Sequence, residues 1–379
     1  METWISPFYN HETNSYSWEA LKKHAWVADM SGVIQDPVHH AEGDVETHVM
    51  VVLGVLLSLP EFIELSDEDK NILFTATLLH DVEKRSTTEV EFIDGRDQVT
   101  ARNHARKGEK TARLILYRDY PTPFSIREHI CKLVRLHGAP LWAIEKENPQ
   151  KAVVEASLYV NTKLLYILAK ADAIGRICPD KDSLLERLEF FKMLCEENNC
   201  WGETRKFPSE LSRFYYLNKQ EASVDYEPFD DLGSVVYVLS GVPGSGKDTY
   251  IKKNLPNIPV ISLDDIRRDT TIDKKVRSTT GSVVQIAKDR ARVFLRKKEP
   301  FVWNATNITK DMRSRMNSLF HEYNAKVCIV YIESEYKALL KQNSNREYKV
   351  PEHIIEELIE KIEMPDYSEA QLIEFAINY

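Results

Sequence analysis

Residues 235–249 read Val-Val-Tyr-Val-Leu-Ser-Gly-Val-Pro-Gly-Ser-Gly-Lys-Asp-Thr, and this stretch decides the fold of the C-terminal part of the chain. Its first five residues are continuously apolar and rich in β-branched side chains, as in a strand buried on both faces of a parallel sheet. The pattern Gly-x-x-x-x-Gly-Lys follows directly, and its glycines allow backbone N–H groups to surround phosphate oxygens at the start of a helix. The stretch therefore predicts an α/β domain with a nucleotide-phosphate site.

The predicted phosphate loop supplies a set of candidate ligands for ATP, or another nucleoside triphosphate, with Mg²⁺. Lys247 is expected to reach the β- and γ-phosphates. Asp248 stands where a Ser or Thr hydroxyl usually binds Mg²⁺, so either its carboxylate binds the metal, directly or through water, or Thr249 replaces it. The candidate nucleotide-binding residues are Gly241, Gly244, Ser245, Gly246, Lys247, Asp248 and Thr249.

Three further short apolar runs, at residues 260–261, 301–303 and 327–332, alternate with segments of helical periodicity. Strands that alternate with helices are typical of a doubly wound domain with a parallel sheet. The run at residues 260–261 is followed by Ser262, Leu263 and then Asp264, with Arg267 three residues later. A carboxylate at that edge lies where an acceptor hydroxyl attacks a γ-phosphate, and an arginine beside it suits an acceptor phosphate.

Two more motifs follow along the chain. Asn304-Ala305-Thr306-Asn307 comes directly after the run at residues 301–303, and residues 342–346 precede Val350-Pro351. Together with the phosphate loop and Asp264, they resemble the 5′-hydroxyl polynucleotide kinases, which include the phage end-healing enzyme. The resemblance implies that Asp264 is the general base, that Arg267 holds the acceptor's 3′-phosphate and that Arg346 is a lid arginine on the donor phosphates. The chain departs from the family's Arg-Asn lid pair, since Gln342 and Asn343 stand there.

The N-terminal part, up to about residue 199, has helical periodicity nearly throughout and no convincing strand–turn–strand signal. Ser66 is an expected N-cap because three acidic residues follow it in the first turn, where they suit the helix dipole. Ile72, Leu73, Ala76 and Leu79 then recur at helical spacing. The pattern predicts an all-α domain.

Six histidines and aspartates in this helical part form a candidate metal site for one or two divalent transition-metal ions, because imidazole nitrogens and carboxylate oxygens are mixed ligands of such ions. Two cations, Lys84 and Arg176, lie one helical turn beyond members of the set. The candidate ligands are His48, His80, Asp81, His104, His137 and Asp172.

The order H…HD…H…H…D resembles the HD phosphohydrolase superfamily over roughly residues 30–180. The resemblance implies that one metal is held by His48, His80, Asp81 and Asp172, and that His104 and His137 help to bind a second, with Asp81 bridging. Two metals would lower the pKa of a shared water molecule. Lys84 and Arg176 are expected to hold the substrate phosphate. His39 and His40 are assigned no metal role.

The charge of the chain is unevenly distributed. The net charge is −9, of which residues 1–232 contribute 27 Lys and Arg against 39 Asp and Glu, while the remainder has 23 against 20. Residues 267–298 hold eleven basic residues and three acidic ones. This basic strip is either a surface that follows a phosphate backbone or a solvated helix face.

The five cysteines lack C-x-x-C spacing and are expected to be free thiols in a reducing compartment. No apolar stretch is long enough to span a bilayer, and the N-terminus lacks the pattern of a secretory signal. We therefore expect a cytoplasmic protein without a membrane partner.

The expected domains are an HD-type phosphohydrolase at residues 1–203, a connector at 204–232 and a P-loop polynucleotide kinase at 233–379. The whole chain resembles the bacterial HD-domain/polynucleotide-kinase end-healing enzymes. That resemblance implies phosphorylation of 5′-OH ends, removal of 2′,3′-cyclic, 2′- or 3′-phosphates, DNA or RNA ends as partners, and a ligase acting downstream. The alternative is an HD nucleotidase or phosphodiesterase fused to a small-molecule kinase. A third hypothesis, a non-catalytic binding protein, is disfavoured because the motif residues are all present.

Overall fold

The computed structural model describes residues 3–269 and 271–378, the side chain of residue 277 aside. The chain divides into two compact units, Met1–Lys206 and Phe207–Tyr379. The segment expected to connect the two domains falls mostly in the second unit. It carries a helix, Glu210–Asn218, whose N-cap Ser209 accepts a hydrogen bond from the Ser212 backbone N–H at 3.0 Å.

The first unit is helical, as predicted. A π-helical turn at Ile115–Asp119 and a 3₁₀ turn at Ala143–Glu145 supplement its α-helices. The α-helices are α1 Trp18–Leu21, α2 Ala25–Ala28, α3 Val45–Ser58, α4 Pro60–Ile63, α5 Asp67–Leu79, α6 Lys84–Thr87, α7 His104–Leu114, α8 Phe124–Leu136, α9 Ala139–Trp142, α10 Pro149–Ser157, α11 Thr162–Gly175 and α12 Lys181–Glu197.

The expectation that no strands interrupt these helices was wrong. A two-stranded antiparallel hairpin, β1 Thr88–Ile93 and β2 Arg96–Ala101, follows α6. Its turn is Asp94-Gly95, with φ of 53° and 81°, and a two-residue turn with two positive φ angles suits the twist of a hairpin. The Asp-Gly pair between β-formers was the sequence signal for this hairpin.

Helix α11 is the centre of the first unit, since eleven of its fourteen residues are buried. It packs against α3 and α5, and α5 packs in turn against α8. Gly175, at the end of α11, allows a close approach to α3, because a Cβ atom there would lie 2.7 Å from Val52 Cγ2. At the N-terminus of α5, Ser66 is the N-cap as predicted, and its hydroxyl accepts from the Asp69 N–H at 3.2 Å.

The second unit contains the predicted parallel sheet. Its five strands lie in the order β4-β5-β3-β6-β7, and every neighbouring pair is parallel. The strands are β3 Val235–Ser240, β4 Val260–Ser262, β5 Phe301–Asn304, β6 Lys326–Ser334 and β7 Leu372–Asn378. The sequence analysis did not predict β7, an edge strand that pairs with β6 alone.

Helices cover both faces of this sheet. On β3, Val236 and Val238 pack into one apolar cluster, while Leu239 packs into another on the opposite face. The helices of the unit are α13 Glu210–Asn218, α14 Lys247–Asn254, α15 Leu263–Arg268, α16 Lys274–Arg277, α17 Thr280–Lys297, α18 Lys310–Glu322, α19 Tyr336–Ser344 and α20 Glu352–Glu360. Because β3, β4 and β5 are parallel, their C-terminal ends lie at the same edge of the sheet. That edge carries the phosphate loop, Asp264 and Asn304.

Among the described helices, none is by itself long and apolar enough to cross a membrane. The bent pair α10 and α11, with an angle of 110° between them, meets the criteria of length and composition when taken together.

Candidate active sites

In the first unit, the six predicted metal ligands come together from five helices. His48 lies on α3, Asp172 on α11, and His104 is the first residue of α7. The pair His80-Asp81 directly follows α5, and His137 directly follows α8. The packing of α3, α5, α8 and α11 therefore brings residues separated by more than a hundred positions to one centre.

Asp81 is at the middle of the cluster and divides it into two half-sites. In the first half-site, Asp81 Oδ2 lies 3.5 Å from His48 Nε2 and 3.3 Å from His80 Nε2. In the second half-site, Asp81 Oδ1 lies 3.3 Å from His104 Nε2 and 3.8 Å from His137 Nε2. In each half-site the histidine and aspartate ligand atoms lie close enough together to hold a metal ion. The Asp81 carboxylate therefore belongs to two groups of histidines.

The chemistry of these donors fits divalent metal ions. His48 Nε2, His80 Nε2 and Asp81 Oδ1 are buried and have no hydrogen-bond partner in the described part of the chain. Buried polar atoms are normally paired, so donors that converge without partners indicate a ligand. Burial lowers the pKa of His137 to about 3 and also lowers the pKa of His104, which keeps both imidazoles neutral, the form that binds metal.

Two buried carboxylates of the centre are held in the charged form by neighbouring cations. Burial alone would raise the pKa of Asp81, but the charge of Lys84, with Nζ 2.7 Å from Oδ2, holds that pKa well below its usual range. In the same way, Arg176 holds the pKa of Asp172 well below its usual range, with its Nε 3.0 Å from Oδ1. The two predicted phosphate-binding cations thus contact the ligand carboxylates, and their role toward substrate stays a prediction.

The sequence pattern did not predict the contacts that Glu42, Gln35 and His40 make in this centre. Glu42 Oε1 lies 2.7 Å from His48 Nδ1 and 2.8 Å from His40 Nδ1. Gln35 Oε1 accepts a hydrogen bond from Lys84 Nζ at 2.8 Å. These residues precede α3 in an irregular segment, where neither periodicity nor spacing distinguishes an acid beside a ligand from a solvated one.

In the second unit, the phosphate loop has the backbone geometry that its glycines predict. Gly244 and Gly246 adopt φ of 88° and 97°, in the left-handed region that favours glycine. A Cβ atom on Gly241 would lie 2.5 Å from the Ile332 carbonyl oxygen, so the loop also needs glycine where it passes β6. The loop is anchored to the segment after β5, because the Gly241 N–H donates to the Thr306 carbonyl at 2.9 Å.

Lys247 lies inside this loop. Its Nζ donates to the carbonyl oxygens of Gly241 at 2.7 Å and Val242 at 2.9 Å. Burial lowers the pKa of Lys247 to about 8, partly offset by the charges of Asp248 and Asp264. The ammonium is thus held inside the loop by two backbone carbonyls, and its contact with nucleotide phosphates stays a prediction.

Asp248 makes a contact that the motif alone does not specify. Its Oδ1 accepts a hydrogen bond from Asn304 Nδ2 at 3.0 Å, which joins the start of α14 to the end of β5. The sequence motif at residues 304–307 did not predict this contact of Asn304. Thr249, the alternative to Asp248, is exposed on the next position of α14.

Asp264 and Arg267 form a pair on α15. Ser262, the last residue of β4, caps this helix by accepting from the Asp265 N–H at 3.1 Å. Asp264 Oδ1 lies 2.9 Å from Arg267 Nη1, and the side chains are 66% and 41% exposed. The carboxylate is therefore oriented by its partner and accessible to an acceptor.

One cleft of about 1580 Å³ is lined by both the phosphate loop and the Asp264–Arg267 pair. Its cationic lining residues are Lys247, Lys252, Lys253, Arg267, Arg268, Arg315 and Arg346. Its acidic lining residues are Asp248, Asp264, Asp265 and Asp311. Cations therefore outnumber acids along the lining, as expected for a cleft that binds phosphates.

The segment between α19 and α20 borders this cleft and carries Arg346. Asn343 braces the segment, donating to the Val350 carbonyl at 2.8 Å and accepting from the Val350 N–H at 3.1 Å. The Tyr348 ring lies against Arg268, with its centroid 5.0 Å from the guanidinium carbon. Asn343 thus has a structural task, and Arg346 lines the cleft, while its role as a lid arginine stays a prediction.

Each of the two units contains a match to a known family. Residues 45–176 match the family model described as HD domain, and residues 236–365 match the AAA_33 model, described as AAA domain. The chain therefore carries an HD domain followed by a P-loop kinase domain, and it has the domains of an enzyme. ATP with Mg²⁺ and divalent metal ions are the cofactors that these domains bind.

One curated relative matches part of the chain. The L-seryl-tRNA(Sec) kinase of Methanococcus maripaludis is 24% identical over 144 residues, which are 35% of this chain and 53% of the relative. The chain thus spans about half the length of this curated relative.

Solved structures give more distant matches. A candidate kinase from Chloroflexus aurantiacus j-10-fl aligns with a TM-score of 0.32 and 12% identity, over 38% of this chain and 88% of its own. Kti12 of Chaetomium thermophilum, solved with ADP-AlF3, aligns with a TM-score of 0.28 and 15% identity, over 38% and 87%.

Proposed function

We propose that this protein heals nucleic-acid ends. In this proposal the kinase domain phosphorylates 5′-OH polynucleotide ends with ATP, and the HD domain removes 2′,3′-cyclic, 2′- or 3′-phosphates. One observation carries the proposal: the phosphate loop and the Asp264–Arg267 pair line a single cationic cleft. Donor phosphates and an acceptor hydroxyl can therefore meet in one place.

On the kinase side, each role follows from position and charge. Lys247 would bind the β- and γ-phosphates, and Arg346 would contact the donor phosphates from the bordering segment. Asp264 would accept the proton of the acceptor hydroxyl as general base, because it is an exposed carboxylate at the edge of the sheet that holds the phosphate loop. Arg267, already paired with it at 2.9 Å, would bind an acceptor phosphate.

Two features favour a polymeric acceptor over a small one. The cleft, at about 1580 Å³, exceeds the roughly 300–1,000 Å³ typical of small-molecule pockets. Thr280 and Val284 of α17 line it, so the helix that carries much of the basic strip starts at the cleft. A phosphate backbone that leaves the cleft along this helix would meet a series of cations.

On the hydrolase side, His48, His80, Asp81 and Asp172 would hold one metal ion, and His104 and His137 a second, with Asp81 between the two. Bound metal ions would lower the pKa of a water molecule and stabilise charge on a phosphoester. Lys84, which is buried, and Arg176, which is partly buried, would hold the substrate phosphate, because both already lie against the two carboxylates of the centre. Gln35 orients Lys84 through its side-chain oxygen.

The curated relative is named L-seryl-tRNA(Sec) kinase, so its acceptor is a seryl group carried on an RNA. This supports a kinase cleft that accommodates a nucleic acid, and the 5′-OH as acceptor is the proposal made here. The products of the two proposed reactions, a 5′-phosphate and a cleared 3′ end, are the ends that a nucleic-acid ligase joins. DNA or RNA ends are thus the proposed partners, with a ligase acting afterwards.

Separation-of-function variants test the proposal. Lys247→Ala should abolish transfer from ATP to a 5′-OH oligonucleotide and leave the release of 3′ phosphate intact. His80→Ala should have the reverse effect. If either substitution abolished both activities in a folded protein, the assignment of one activity to each domain would be wrong.

The acceptor itself is tested by competition. A 5′-OH oligonucleotide should outcompete a free nucleoside as acceptor, and its binding should weaken as salt rises because counterions are released from the phosphate backbone. Phosphorylation of nucleosides at equal efficiency, without salt dependence, would favour a nucleotidase fused to a small-molecule kinase.

A further inference from the structure

The four histidines of the HD centre differ in what holds their second ring nitrogen. His80, His104 and His137 each place Nδ1 2.7–2.8 Å from the backbone carbonyl oxygen of the residue three positions earlier. A carbonyl oxygen can only accept, so it fixes the proton on Nδ1 and directs the Nε2 lone pair inward. His48 instead places Nδ1 2.7 Å from Glu42 Oε1.

Glu42 is held tightly in this position. Its side chain is 3% exposed, and Oε1 is shared between His48 and His40, at 2.7 and 2.8 Å. The second oxygen, Oε2, accepts from the Ile177 N–H at 2.8 Å, and the neighbouring Ala41 N–H donates to the Ile177 carbonyl at 3.0 Å. Both oxygens thus accept from fixed donors, so the carboxylate cannot rotate without breaking a buried bond.

We propose that Glu42 is a positioning residue that fixes the tautomer of His48 and thereby sets the metal affinity of the first half-site alone. This inference rests on the metal centre of the proposed function. A carboxylate behind a ligand histidine orients the ring and raises its basicity, and loss of such a partner typically weakens metal binding about 10–100-fold. In the second half-site, Nδ1 of His104 and of His137 faces a backbone carbonyl, so the tautomers of these two histidines do not depend on Glu42.

Glu42→Gln is the informative substitution because glutamine has the same shape as glutamate, but an NH₂ group, which donates hydrogen bonds, replaces one of the two carboxylate oxygens. If its oxygen faces the Ile177 N–H, its amide nitrogen faces His48 Nδ1, which moves the ring proton to Nε2 and removes the lone pair needed for a metal. In the opposite orientation the amide N–H faces the Ile177 N–H, and two donors meet in a buried place. Either arrangement disturbs the first half-site.

Glu46→Gln is the matched control. Glu46 is also a buried carboxylate near His48, but it accepts from Trp18 Nε1 at 2.9 Å and pairs with Lys22 at 2.8 Å. Its substitution removes a buried charge from the same helix without touching a ligand histidine.

The experiment is a titration of chelator-stripped full-length protein with Co²⁺, followed by calorimetry and by absorbance. Wild type and Glu46→Gln should bind two ions per chain. Glu42→Gln should retain one ion at wild-type affinity and bind the other about 10–100-fold more weakly. Histidine ¹⁵N spectra of the metal-stripped protein give a second readout, since Glu42→Gln should move the His48 proton from Nδ1 to Nε2.

Wild-type affinity for both ions in Glu42→Gln, with the His48 proton still on Nδ1, would overturn the proposal while leaving the metal centre in place. An equal loss of affinity for both ions would also overturn the proposal, because Glu42 would then support the fold of the centre as a whole. If wild type itself bound no Co²⁺, the metal centre of the proposed function would fall and this inference with it. Glu42→Asp, which keeps the acceptor charge, should restore the Nδ1–H tautomer and most of the lost affinity.

Discussion

The pKa of Lys247 leads to a quantitative prediction about nucleotide binding. Burial lowers this pKa to about 8 in the protein without nucleotide, where the ammonium is bound to two loop carbonyls. Triphosphate oxygens next to the ammonium favour its charged form, so the pKa of Lys247 in the complex lies higher. Between the two pKa values the complex holds a proton that the nucleotide-free protein lacks, and binding therefore weakens as pH rises.

The size of the effect follows from the lower pKa. With a pKa of about 8, roughly nine-tenths of the Lys247 side chains are charged at pH 7 and roughly one-tenth at pH 9. The affinity for Mg²⁺-ATP should accordingly fall about tenfold between these two pH values. At pH 9, binding should take up about 0.9 proton per nucleotide.

Calorimetric titration in two buffers with different ionisation enthalpies measures affinity and proton uptake together. Lys247→Met is the control, and it should bind nucleotide more weakly with an affinity that does not change between pH 7 and 9. If the wild-type affinity stays constant over this range and no proton is taken up at pH 9, Lys247 is not the buried amine described here.

Three further predictions concern stability and catalysis. Gly175→Ala should destabilise the HD domain by about 1–3 kcal/mol in urea unfolding, because the added methyl group has no room against α3. Gly54→Ala, which has open space around it, should instead stabilise the domain by about 0.5–1 kcal/mol. Arg313→Met should destabilise the kinase domain by about 3–5 kcal/mol in the same measurement, since it leaves the buried Glu369 carboxylate without the guanidinium that lies 2.9 Å away; a loss below 1 kcal/mol would show that the pair tolerates apolar replacement. Asp264→Asn should lower kcat for phosphoryl transfer about 10²–10⁴-fold without changing the Kd for ATP, and an unchanged kcat would exclude it as general base.

Much of the fold was predictable because its signals are local. The strand and glycine loop at residues 235–249 located β3, and the apolar runs at residues 301–303 and 327–332 located its two neighbours, β5 and β6. The edge strand β7 was missed because none of its residues is fully buried and Glu374 interrupts its apolar run. The hairpin after α6 has a local sequence signal, the Asp94-Gly95 turn. It was missed because helical periodicity predominates on both sides of its two short strands.

The candidate sites were predictable to the extent that their residues lie at fixed positions of helices and strands. His80 and His137 directly follow long helices, and Asp264 follows a strand, so periodicity locates them. Glu42 and Gln35 lie in an irregular segment, where no periodicity locates them, and some of their partners are distant in the chain: the Ile177 N–H for Glu42 and Lys84 for Gln35. Only the folded chain brings such pairs together, as it does for Asp248 and Asn304, which are 56 positions apart.

The most direct test of the central claim uses one RNA oligonucleotide with a 5′-OH end and a 2′,3′-cyclic phosphate, incubated with ATP, Mg²⁺ and a divalent transition metal. A DNA oligonucleotide with 5′-OH and 3′-phosphate ends serves as the second substrate. End-group analysis by mass spectrometry should show a 5′-phosphate gained and the terminal phosphate at the other end opened or removed, on at least one of the two polymers. If both polymers keep their original ends while free nucleosides or nucleotides are converted, the protein is not an end-healing enzyme.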